Sequence, residues 1–167
     1  EDIRQRLLNI ASITATQLDG DLHATLQTPE DMQTEAYRQM MAEGDEIVAT
    51  DPTLTYAYTM RMNDQGQIYF VIDSRQANDT ERVDVGTVYE EPSETLLSYF
   101  KTPDRPFVEK EIVTDEYGSF LSAYAPFYRA DGSLEGLVGV DIAADKVLAQ
   151  EREVLNLILG TTLVTMF

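Results

Sequence analysis

Two aspartates close stretches that otherwise read as apolar strands: Asp73 ends QIYFVID, and Asp141 stands near the end of SLEGLVGVDI. Side chains alternate between the two faces of a strand. Leu134, Val138, Val140 and Ile142 are therefore expected on one face, and Leu137, Gly139 and Asp141 on the other. With Ile68, Phe70 and Ile72 on the aliphatic side, Tyr69 and Asp73 join Gly139 and Asp141. SFLSAYAPFY adds Ser122 and Tyr124 to that layer when Leu121 and Ala123 point to the core. LTYAYTMRM adds either Tyr56 and Tyr58 or Thr59 and Arg61, and alternation leaves both open because each face is partly apolar. Tyrosine rings offer cation–π faces, carboxylates pair with an amine, and Arg61 could fork onto a carboxylate. The candidate binding set is thus Tyr58, Arg61, Tyr69, Asp73, Ser122, Tyr124 and Asp141, suited to a small, amine-bearing molecule. A purely structural role competes with it. Both aspartates precede a turn or a helix, where Asp caps the next element. Tyr58 and Tyr124 can equally be core aromatics with their hydroxyls at the edge.

Catalysis finds little support. His23 is the single histidine and falls on an amphipathic helix with no nucleophile motif around it, so the expectation is a structural or solvated His. Asp19 and Asp21 lie beside it, but a two-residue spacing on a helix makes side chains diverge. No phosphate-cradling loop or metal-ligand repeat is present, and no cofactor is expected. A carboxylate-based hydrolase remains the alternative of another class, since glycosidase-type acid pairs are matched in space rather than in sequence.

The elements that must position these residues follow from periodicity. DIRQRLLNIASITATQLDGDLHATL repeats apolar residues at three and four (Ile3, Leu7, Ile10, Thr14, Leu18, then Leu22 and Leu26), which predicts one long helix. A second helix is expected after Pro29, with Thr28 as its cap and Met32, Ala36, Met40 and Ile47 facing inward. Beyond Pro52 the period shortens to two. Two hairpins are expected, turning at NDQG and RADG, with a helix PSETLLSYF and a fifth strand PFVEKEIV between them. From Ala143 the helical period returns. The expected class is α+β: a PAS-like antiparallel five-stranded sheet, a long N-terminal helix, and further helices packed on one face.

With 167 residues, 43% of them hydrophobic, one compact domain is expected. Acids outnumber bases 30 to 12 for a net charge of −18, which excludes a phosphate-backbone partner and hence nucleic acid. There is no cysteine, so disulfides, thiol catalysis and Cys-based zinc sites are excluded. The chain opens on Glu1 without a secretory signal or an initiating Met, and is read as a fragment of something longer. Residues 154–167, VLNLILGTTLVTMF, carry no charge and are expected to begin a transmembrane helix, the alternative being a buried terminal helix.

LTYAYTMRMNDQGQIYFVIDS, VGTVYE and TDEYGSFLSAYAPFYRADGSLEGLVGVDIAAD come in the order and spacing of a known family. Over most of residues 50–145 the chain resembles a single Cache domain, the PAS-like extracytoplasmic sensor module of bacterial transmembrane receptors. The resemblance implies that residues 1–153 form a periplasmic, non-enzymatic domain binding a small molecule on the open sheet face. Flanking transmembrane helices would pass the signal to an inner-membrane receptor's output module, a histidine kinase before a diguanylate cyclase or chemoreceptor. Amino-acid-binding members pair an Arg with an Asp on these strands and also use a Trp, which this chain lacks. The stripe over residues 3–22 predicts a homodimer seam. The runner-up function is an acidic domain sensing divalent cations or the membrane surface.

Overall fold

The computed structural model describes residues 2–164, with side chains as far as residue 158. Ile3, Leu7, Ala11 and Thr14 recur at helical spacing, and helix α1 (Ile3–Gln17) lays that stripe on the sheet. Asp2 caps its start, accepting from the Arg4 N–H at 3.0 Å. The single long helix expected from the pattern breaks at Leu18 and restarts as α2 (Gly20–Ala24), capped by Asp19. Gly20 supplies the reason: a Cβ there would lie 2.2 Å from the Tyr128 carbonyl oxygen, so the chain rests directly on sheet backbone. The second helix is divided too. Pro29–Gln33 makes a 3-10 turn, and α3 (Glu35–Thr50) begins afresh with Thr34 accepting from the Tyr37 N–H.

Six strands follow: β1 (Tyr56–Met62), β2 (Ile68–Arg75), β3 (Phe107–Val108), β4 (Val113–Asp115), β5 (Gly118–Tyr128) and β6 (Leu134–Ala143). Helix α4 (Glu94–Lys101) lies between β2 and β3, and α5 (Ala144–Val164) continues from β6. The sheet order is β2-β1-β6-β5-β3, with β4 also pairing β5, and every pairing is antiparallel. The expected fifth strand is thus two short pieces on one edge. This is the expected α+β, PAS-like architecture.

The sheet separates two cores. On the helix side Leu121, Ala123, Val138, Val140 and Ile142 pack against α1, Val48 of α3 and Val147 of α5. On the far side Tyr58, Met60, Phe70, Tyr89, Leu96, Phe100 and Tyr124 form an aromatic layer with α4 and the connecting loops. A third cluster, including Leu26, Met40, Val71 and Ile72, joins α3 to the end of the sheet.

Two β-bulges overturn part of the expected alternation. Met60 pairs Phe70 while Thr59 pairs Ile72, so Val71 is the extra residue and turns inward beside Ile72. Ile68 and Phe70 consequently belong to the aromatic layer, and Tyr69 faces the helix side. A shift near Tyr128 pairs that residue with Leu134 and leaves Glu135 unpaired, so Leu134 is 39% exposed rather than in the core.

Two expectations about the ends meet different outcomes. The stripe read as a dimer seam is occupied by the protein's own sheet, since Ile3, Leu7 and Thr14 are buried there and Ile10 and Leu18 pack beside them. Helix α5 runs through residues 154–164, and residues 165–167 lie outside the described residues. Val154, Leu155, Leu157 and Ile158 are exposed rather than buried. Among the described residues no helix is long and apolar enough to cross a membrane.

Candidate ligand site

Register fixes who shares the aromatic layer. Asp141 stands opposite Tyr56 on one side and Ser122 on the other, and Gly139 stands between Tyr58 and Tyr124. The Tyr58 ring fills the space beside Gly139: a Cβ at Gly139 would lie 2.3 Å from it. Lying flat there, Tyr58 donates its hydroxyl to Asp141 Oδ1 at 2.9 Å. Among the described residues the Asp141 side chain accepts from Tyr58 and Ser122 and from no backbone N–H of a following turn or helix. Burial pushes its carboxyl up to about 7, against the lowering effect of hydrogen bonds from Ser122 and Tyr58, and the negative charges of Asp115 and Asp73 push the same way as burial.

Asp73 reaches the same hollow because the Val71 bulge re-phases β2. Tyr56, Tyr58, Phe70, Asp73, Arg75, Val83, Tyr117 and Asp141 line a half-open cavity of about 20 Å³, room for one water-sized group. Asp73 Oδ2 accepts from Arg75 Nε at 3.0 Å and from the Val83 N–H at 2.9 Å. Burial still raises its pKa, ahead of the lowering effects of those two partners. Arg75 also reaches Asp79 Oδ2 at 3.2 Å and lies 4.6 Å over the Tyr56 ring. The loop after β2 roofs the cavity, and Arg82 forks onto both Asp45 oxygens of α3 at 2.9 and 3.0 Å.

Two acids of this layer escaped the sequence reading. The Glu109 N–H bonds the Ser122 carbonyl, which continues the β3–β5 ladder and puts Glu109 in line with Asp141. Ser93, the N-cap of α4, donates to Glu109 Oε1 at 2.5 Å, and burial raises the pKa of that carboxyl. Asp115 receives the Tyr89 hydroxyl and the N–H groups of Tyr117 and Gly118. Only spatial strand pairing reveals either residue. Among the described residues no three His, Asp or Glu side chains converge as metal ligands.

No protein-family model matches the chain, and no curated protein does either. Solved structures do. The extracellular ligand-binding receptor from Desulfohalobium retbaense superposes with a TM-score of 0.51 at 17% identity, over 89% of this chain and 26% of that one. At that identity the likeness is one of fold, an α+β arrangement with an open antiparallel sheet of PAS-like type. The ligand-binding domain of the Campylobacter jejuni chemoreceptor Tlp3, solved with L-valine, gives a TM-score of 0.44 at 13% identity over 86% of this chain. The sensory domain of the same chemoreceptor gives 0.44 at 14%. The chain spans about three fifths of the length of those chemoreceptor domains (60% and 61%).

Within this sheet, five of the seven candidate residues come together: Tyr58, Asp73, Ser122, Tyr124 and Asp141 share the aromatic layer. Arg61 and Tyr69 do not. They pair with each other across β1 and β2 and face the helix side: Tyr69 because the Val71 bulge re-phases β2, Arg61 because it alternates with Tyr58 and Met60 along β1. Arg61 is spent there. Its Nε meets Glu135 Oε1 at 2.7 Å, and its Nη atoms reach the carbonyls of Leu26 and His23 at 2.6 and 2.5 Å. Arg129 takes the other Glu135 oxygen at 2.6 Å.

His23 completes that anchor, fully buried rather than solvated. Nδ1 lies 2.8 Å from Glu135 Oε1 and Nε2 2.7 Å from Thr59 Oγ1. A carboxylate only accepts, so the proton sits on Nδ1. The Thr59 oxygen already accepts from the Ile72 N–H at 3.1 Å, and gives its own proton to Nε2. Burial lowers the His23 pKa, which keeps the ring neutral. At Glu135 burial pushes upward, but hydrogen bonds from His23, Arg129 and Arg61 prevail and hold the carboxyl at about 2.

Proposed function

We propose that the chain is the extracytoplasmic sensor domain of a membrane receptor. It binds a small molecule on the aromatic sheet face, between Asp141, Asp73, Tyr58, Tyr124 and Ser122. The observation that carries this reading is a half-open hollow on the layer away from the terminal helices, with two buried carboxylates on its wall. A buried carboxylate without a dedicated cation is costly for a merely structural purpose. Asp141 stands three residues before α5 begins, and its carbonyl accepts the Thr55 N–H at 2.8 Å. A ligand that shifts Asp141 therefore acts close to the root of α5, which leads toward a membrane span and an output module, with a histidine kinase favoured. Signalling requires differential affinity for two arrangements of that helix, worth a few kcal/mol.

Thermal-shift screening of the purified domain against amines, amino acids and organic acids tests the reading. A stabilising compound whose effect disappears in Asp141→Ala supports it. A response from no class would leave an interaction module with a filled sheet face.

A further inference from the structure

The charges around the cavity point to one class of ligand. Asp141 is faced by Tyr56 and Tyr58 from β1, Asp73 and Arg75 from β2, and Ser122 and Tyr124 from β5. Asp115 of β4, Glu109 just beyond β3, and Tyr89 and Tyr117 from the loops complete its surroundings. Four acids thus meet two arginines, and Arg82 is held by both Asp45 oxygens and by the Asp73 carbonyl at 3.3 Å. Arg75 is already committed to Asp73, Asp79 and the Tyr56 ring. Arg61 lies on the opposite layer under Glu135. A carboxylate entering this site would find no free cation and would stand beside Asp141 and Asp73.

We propose that the site takes an alkylammonium without a carboxylate, its head in the cavity between Asp141 and Asp73 and its chain under the loop that carries Val83. The cavity of about 20 Å³ has the size of an ammonium head and no more. The tail therefore runs out through the open side along the roof, whose tie to Asp73 is the Val83 N–H. Hydroxyls of Tyr58 and Ser122 hold Asp141 on one side, and the tyrosine faces supply cation–π contact to the head. The protonated Asp141 carboxyl exchanges its proton for the bound ammonium: the O–H bond breaks, the proton leaves to solvent, and the carboxylate pairs with the cation. Below pH about 7 binding accordingly releases a proton, and at pH 9 it does not.

This inference rests on the sensor reading, and calorimetry on matched pairs separates the two. Isoamylamine with leucine, putrescine with ornithine, and phenethylamine with phenylalanine each differ by one carboxylate. At least one amine should bind tenfold or more tightly than its amino acid. Its heat at pH 6 should differ between phosphate and Tris by the ionisation of one proton, and Asp141→Asn should lose the binding. An amino acid binding as tightly as its amine, or organic acids binding instead, would overturn the amine assignment and leave a small-molecule sensor. No binding by any of these classes would overturn both.

Discussion

Asp141 is a carboxyl held uncharged by its surroundings, and the cost is measurable. Its pKa of about 7 exceeds the ordinary Asp value, so the native state keeps a proton that the unfolded chain gives up. Stability contributed by this group is present in acid, falls as the pH rises from about 4 to about 7, and stays lost above that. Asp141→Asn removes the titration. Thermal melts should show the variant gaining on the native protein across that interval, by at most about 4 kcal/mol. An unchanged difference between pH 4 and 8 would refute the assignment. Gly139 tests the neighbouring contact. Gly139→Ala drives a methyl into the Tyr58 ring and should cost about 1–3 kcal/mol in chemical denaturation, with Tyr58 moved off Asp141. A neutral Gly139→Ala would mean that the ring is free to yield.

At the scale of elements, the anchor under α2 is the larger store of fixed charge. His23, Glu135, Arg61 and Arg129 join α2 to β1, β6 and the β5–β6 turn. Arg61→Met strips Glu135 of one cation inside the protein and should cost about 3–5 kcal/mol, with hydrogen exchange accelerating first in α2. Loss spread evenly over the sheet would contradict an anchor local to α2. The pH dependence here runs opposite to that of Asp141. The folded His23 resists protonation, so stability declines as the pH drops below about 6.5, and Glu135 withdraws its share between about 4.5 and 2. The sequence showed where strands, turns and α4 lie because period and turn chemistry are local. It also put Asp73, Asp141, Ser122 and Tyr124 on one layer correctly. Tyr69 was misplaced because a bulge is one unpaired residue, invisible without the partner strand, and Arg61 because both faces of β1 are partly apolar and alternation left its side open. His23 read as structural or solvated, and the choice between the two stayed open because its partners stand 36 and 112 residues away.

For the whole molecule, a homodimer through α1 would need a face other than the stripe read as its seam. The stripe of α1 is covered by the sheet, and its outer face offers Ile13, which is 58% exposed. A homodimer through α1 therefore seats Ile13 at its seam. Ile13→Asp should abolish the dimer in sedimentation and leave the melting temperature of the domain unchanged. A native protein that sediments as a monomer at high concentration would dispose of this assembly. Salt should strengthen association, since each copy carries −18 and like charges at that density repel.

The Thr59 hydroxyl carries a last consequence. It occupies the rear of the sheet, yet it satisfies the one amide that lets Val71 and Ile72 turn the same way. Everything beyond that amide, Asp73 and Arg75 included, owes its side of the sheet to this oxygen. The pocket can thus be disarmed from behind, by a change that touches none of its walls. Thr59→Val should weaken ligand capture and disturb the Asp73 resonances, while Thr59→Ser should preserve both.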